Sequence, residues 1–177
     1  MEPVMSAITP VFFPSESSSP SEWFAIYVMT RHEKRITEHL RIRQIEYFLP
    51  LYPARRQWKD GSKVTVQLPL FPNYLFVRTL RNQRGRVLEV PGVLSAVGKR
   101  ESSVISDIYI DSLRQAVGSG KVEPHPYLAT GVLVRVRSGI LAGLQGIVLR
   151  QKSNCRVVLS LELIMRSVAV EVNLADL

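Results

Sequence analysis

From Trp23 the apolar positions run unbroken, WFAIYVM, over the length of one strand and with a strand's aromatic weight. Polar residues follow. Thr30 and, three residues on, Glu33 have the spacing of a capping box, which predicts that each side chain satisfies a free backbone N–H at a helix start. The helix extends to about Gln44, with Ile36 and Leu40 on one face and Arg31, Lys34, Arg35, His39 and Arg43 largely on others. YFLPLYPARRQW reads as an extended segment broken by Pro50 and Pro53, which places it at a sheet edge. KDGSK (59–63) is a hairpin turn, with Asp60-Gly61 supplying positive φ. VTVQLPL returns, YLFVRTL is the next strand, and EVPGVLSAVG (89–98) gives a Pro-Gly turn and a short strand. Ser106 caps a second helix, about Asp107 to Val117, with Ile110, Leu113 and Val117 at helical spacing and Gly118 as its stop.

After GSGKVEPHPYLATG (118–131) the texture changes. VLVRVR alternates strictly, and SGILAGLQG, IVLRQ, CRVVLSL and MRSVAVEV follow as short runs between tight turns. Four or five such strands fit a small β-barrel, with Gly139, Gly143 and Gly146 punctuating its first hairpin. The predicted fold class is α+β: an N-terminal antiparallel sheet with flanking helices, plus a small C-terminal β-barrel. The predicted division is a disordered Ser/Pro-rich tail (1–20), an N-terminal domain (21–120), a linker (121–130) and the barrel (131–177).

Charge changes the picture. The net charge is +8, and residues 21–120 carry most of the excess, with 16 basic and 9 acidic side chains. An anionic partner is expected, nucleic acid first among them. No apolar run approaches the roughly 20 residues of a membrane span, and the first 20 residues lack the basic start of a secretory signal. One cysteine, Cys155, makes neither a disulfide framework nor a cysteine zinc site, which fits a reduced cytoplasmic setting. No metal-ligand spacing, phosphate loop or nucleophile–base pair is present, so neither enzyme activity, nor a metal, nor a cofactor is expected. The stretch PLFPNYLFVR (69–78) gathers Phe71, Tyr74 and Phe76. The residues alone leave open whether these aromatics fill a core or are held on a surface for a partner. Alternation puts Tyr74 and Phe76 on one face of the strand, Leu75 and Val77 on the other.

Four stretches carry a resemblance. WFAIYVMTRHEKRITEHL (23–40), LFPNYLFV (70–77), VPGVLSAVG (90–98) and GVLVRVRSGILAGLQGIV (131–148), in this order, resemble the NusG family of bacterial transcription elongation and antitermination factors. The last is similar to the family's KOW motif. FPNYLFV resembles the specialised paralogs of the RfaH and UpxY type more than general NusG proteins, which usually have Pro-Gly-Tyr there.

The resemblance implies a function: a specialised elongation factor that binds RNA polymerase at the clamp helices and suppresses pausing and termination. It implies polymerase contacts at Tyr27, Phe71, Tyr74 and Phe76. It implies that Arg35 and His39, with neighbouring Arg31 and Lys34, face the non-template DNA strand of the transcription bubble; the alternative for any one of these charges is an ordinary solvated helix face. A candidate second polymerase contact falls at Gln83, Arg84 and Arg86, where RfaH-like proteins carry small hydroxyl residues. Arg55, Arg56 and Trp58 form a further basic-aromatic cluster. The C-terminal domain is expected to recruit a small-subunit ribosomal protein, with Rho the less expected partner, and the protein to be monomeric. A housekeeping NusG protein with Rho and ribosome contacts, and a ribosome-associated RNA-binding KOW protein, are the competing readings.

Overall fold

The computed structural model describes residues 21–59, 61–98, 103–128, 131–151 and 154–177. The expected tail (1–20) and Asp60 of the expected turn lie outside them. Two sheets and a separate ribbon organise the chain. The first sheet has the order β2-β5-β1-β6, from β1 (Ser21–Val28), β2 (Glu46–Phe48), β5 (Tyr74–Leu80) and β6 (Val93–Ala96), and every pairing in it is antiparallel. Its two faces follow from alternation. Phe24, Ile26, Val28, Leu75 and Val77 point to one face and bury Ile36 and Leu40 of α1 (Glu33–Ile42) and Val87 of α2 (Arg84–Leu88). Trp23, Ala25 and Phe76 point to the other, against Ile110, Leu113 and Ala116 of α3 (Asp107–Gly118).

The start of α1 departs from the sequence expectation. Its N-cap is His32, with no side-chain cap bond, and the capping box of Thr30 and Glu33 does not form. Glu33 is buried and its carboxylate instead accepts from the backbone N–H of Asn73, at 3.0 Å. The Thr30 hydroxyl accepts from the Asn73 side-chain amide, also at 3.0 Å. A partner 40 residues away has displaced the local one. By contrast α3 is capped as expected, the Ser106 hydroxyl accepting from Tyr109 N–H. Gly118 is its last helical residue, and the left-handed position that ends the turn is Gly120, at φ +68°.

The second sheet has the order β7-β11-β10-β9-β8 and is antiparallel throughout, from β7 (Val122–His125), β8 (Leu133–Arg135), β9 (Gln145–Gln151), β10 (Asn154–Leu161) and β11 (Arg166–Val172). Four residues expected in the linker are thus a strand: β11 recruits Val122–His125 as its outer neighbour. Pro124 is tolerated because β7 is an edge. Gly146 is required by close approach, since a Cβ there would run into the Val158 carbonyl of β10.

One apolar core is continuous from the α3 face of the first sheet, through α3, to Val136, Leu144, Val157 and Val168 of the second sheet. Gly98, at φ +84°, lies where a Cβ would stand 2.8 Å from Leu163 Cδ1, so the turn before β11 rests on the loop after β6.

The remaining strands, β3 (Leu51–Gln57) and β4 (Lys63–Pro69), pair only with each other. Gly61 takes φ +84° in their connecting turn. Tyr52 anchors the ribbon's base on the core.

Candidate functional site

Strand direction gathers the candidate residues. The register Ser21↔Leu80 to Tyr27↔Tyr74 defines two ends of the first sheet. At one end lie the close of β1, the beginning of β5, the segment leading into α1 and, past Phe48 and Pro50, the base of the ribbon. At the other lie Glu22, Glu46 and Arg78.

Charge is handled differently at the two ends. At the second, cations meet anions: Arg84 and Arg81 reach Glu22 at 3.3 and 3.6 Å, Arg78 reaches Asp107 at 3.6 Å, and Arg114 reaches Glu46 at 3.6 Å. Arg84 also donates to Ser103 and lies 4.7 Å over the Phe24 ring. These contacts hold the Arg84 side chain in place. Arg86 is exposed and Gln83 half-exposed beside it. At the first end, Arg31, Lys34 and Arg35 are exposed and form no ion pair among the described residues. His39 is half-buried in the last turn of α1, one turn beyond Arg35.

The aromatics divide. Tyr27 and Tyr74 are paired across the strands, rings 5.3 Å apart and tilted by 56°, with Tyr27 36% exposed. Phe71 and Phe76 are 1% and 0% exposed and meet edge to face at 5.6 Å. Expected at the same surface, they are in the core, because α3 and Phe48 cover the face that Phe76 shares. Tyr74 packs against the core cluster to which they belong.

The turn Phe71–Tyr74 sets this pair. Tyr74 N–H donates to the Phe71 carbonyl at 3.1 Å, Pro72 stands second and Asn73 third, at φ +71°. That is the pattern of a type II turn, whose third residue must take positive φ. Asn73 does more than tolerate it. Its N–H is held by Glu33, its amide donates to Thr30 and, at 3.4 Å, to the Tyr27 hydroxyl, and its carbonyl accepts from Val28 N–H at 2.8 Å. Sequence reading missed this hub, although Pro-Asn between two apolar runs is a turn signal. Replacing Glu33 by Ala strands a part-buried N–H, and a loss of about 1–2 kcal/mol in unfolding free energy is expected from urea titration; an unchanged midpoint would refute the tie.

Burial pushes the Tyr109 phenol well above its ordinary range, but it sits on α3, under the ion-paired end. Among the described residues no group of His, Cys, Asp and Glu is placed to hold a metal ion, and no helix is long and apolar enough to cross a membrane.

A mixed sheet-and-helix unit is joined to an all-β unit, and aromatics and cations that form no ion pair among the described residues are displayed at one end of the first sheet. Residues 21–114 match the family model described as "Transcription termination factor nusG". The match takes in more than half of the chain, and the protein belongs to the NusG family of transcription factors. Among solved structures, the one described as "Domain interaction in Thermotoga maritima NusG" superposes with a TM-score of 0.53 at 16% identity, covering 88% of this chain and 95% of that one. No curated protein matches the chain.

Proposed function

We propose that this NusG-family factor binds RNA polymerase through the Tyr27–Tyr74 end of the first sheet, contacts the non-template DNA strand through Arg31, Lys34 and Arg35, and suppresses pausing. The observation that carries the reading is the division of the aromatics: two tyrosines stay accessible where two phenylalanines are buried. Tyrosine gives large contact area at low entropy cost and keeps its hydroxyl wet. His39 lies further along the helix and would take a lesser share. Arg86 and Gln83 are left to reach any second contact across the polymerase cleft, since Arg84 is tied to Glu22.

No chemistry is needed. A factor that binds the closed clamp better than the open one shifts the equilibrium away from the paused state, and a coupling of roughly 1–3 kcal/mol changes pause lifetimes by about 5- to 150-fold. Family resemblance makes the clamp helices the expected docking element. Asn73, in place of the glycine usual in general NusG proteins, supports the specialised over the housekeeping reading, because its side chain organises the site.

Single-round elongation through a known pause, with purified polymerase and the full chain, tests this. A pause shortened severalfold is expected. A lengthened or unchanged pause would refute antipausing. Stimulated release on adding Rho would favour the housekeeping reading instead.

A further inference from the structure

The β3–β4 ribbon is unexplained by the polymerase reading. Each strand has seven residues, so the ribbon is about 20 Å long, and it pairs with no third strand. Its two faces differ. Tyr52, Ala54, Val66 and Leu68 are half-buried on the face turned to the core. The opposite face, Pro53, Arg55 and Gln57 on β3 with Lys63, Thr65 and Gln67 on β4, is exposed along its whole length and carries no anion. Arg56, Trp58 and Lys59 are exposed toward the tip, Trp58 at 61%. Arg55, Arg56, Lys59 and Lys63 form no ion pair among the described residues, whereas Arg78, Arg81, Arg84, Arg114 and Arg156 all do.

We propose that this ribbon is a duplex-DNA-binding arm that lays its exposed polar face into the major groove. Two facts favour a duplex over a single strand. A two-stranded antiparallel ribbon is one of the two elements that the roughly 12 Å major groove admits. And the exposed face offers only one aromatic, at the tip, where single-strand binders need a row of them on which successive bases stack. Arg55 and Lys63 supply the charge on the groove face, with Gln57 and Gln67 reaching base edges. Arg56 and Lys59 meet the flanking phosphates. The ribbon springs from the same sheet end as Tyr27, Tyr74 and the basic start of α1, so a duplex held there would lie beside whatever those residues bind.

The arm acts on free DNA, so its test is independent of polymerase binding. The full chain is titrated with a fluorescein-labelled 20-base-pair DNA duplex, the corresponding single strand, and a duplex RNA of the same length. At 0.1 M salt, R55Q/R56Q is expected to bind the DNA duplex at least about tenfold more weakly than wild type, with the log–log salt slope reduced by about 1.8 for two phosphate contacts. R135Q/R137Q, two exposed cations in and just after β8 of the second sheet, is expected to stay within about threefold. The wild-type protein supplies a second readout. Of the two tryptophans, Trp23 is buried and Trp58 exposed, so acrylamide quenches Trp58 selectively. Bound DNA duplex should cut that quenching at least about twofold. The proposal is overturned by failure of the duplex to bind, by tighter binding of the single strand or the RNA, or by DNA binding that leaves Trp58 as quenchable as before.

Discussion

Tyr74→Ala is expected to weaken binding to RNA polymerase by about 30-fold, a loss of about 2 kcal/mol, while leaving the protein folded. Its ring is half-exposed and caps the end of the sheet, so its removal opens no core cavity. Tyr27→Ala should cost a comparable amount. The double variant should cost less than the sum, because the two rings touch at 5.3 Å and each loses a neighbour when the other goes. Titration of labelled polymerase, with circular dichroism confirming the fold, decides the matter. Binding of the double variant within twofold of wild type would remove the tyrosine pair from the interface.

Phe76→Ala is expected to act through stability instead. Its ring is fully buried between Phe71, Phe48 and α3, and its truncation should cost about 3–5 kcal/mol. For a chain of this size each kcal/mol moves the thermal midpoint by about 2–4 °C, so a drop of roughly 6–20 °C should follow. Calorimetry measures it directly. Phe76→Leu keeps most of the buried volume and should retain polymerase affinity. If Phe76→Leu bound tenfold more weakly while melting near wild type, the ring itself would be a contact, and the division of the aromatics would be wrong.

These two residues show where sequence is legible and where it is not. Alternation placed Tyr74 and Phe76 on one face of a strand, as found. Which part of that face stays open depends on α3, which begins 31 residues after Phe76, and no local pattern encodes that cover. Most strands of the two sheets were readable from apolar or alternating runs, and Ser106 and the Gly92 turn from local chemistry. The misreadings share one cause, competition from distant partners. Asn73 took the side chains that spacing assigned to a capping box. β11 took Val122–His125, whose Pro and His disguise a strand as a connection.

The ribbon that stands apart from both sheets is also a liability. Two strands without outer neighbours present two open edges of backbone groups that another chain could extend, the usual route to aggregation. Pro53 withholds a donor, and Arg55, Arg56, Lys59 and Lys63 repel a like-charged copy of the same ribbon. The cations assigned to DNA are therefore also the ribbon's protection against self-association. A cell that kept the arm but lost its charge would forfeit solubility along with its grip on nucleic acid, which gives selection two separate reasons to hold those four positions basic.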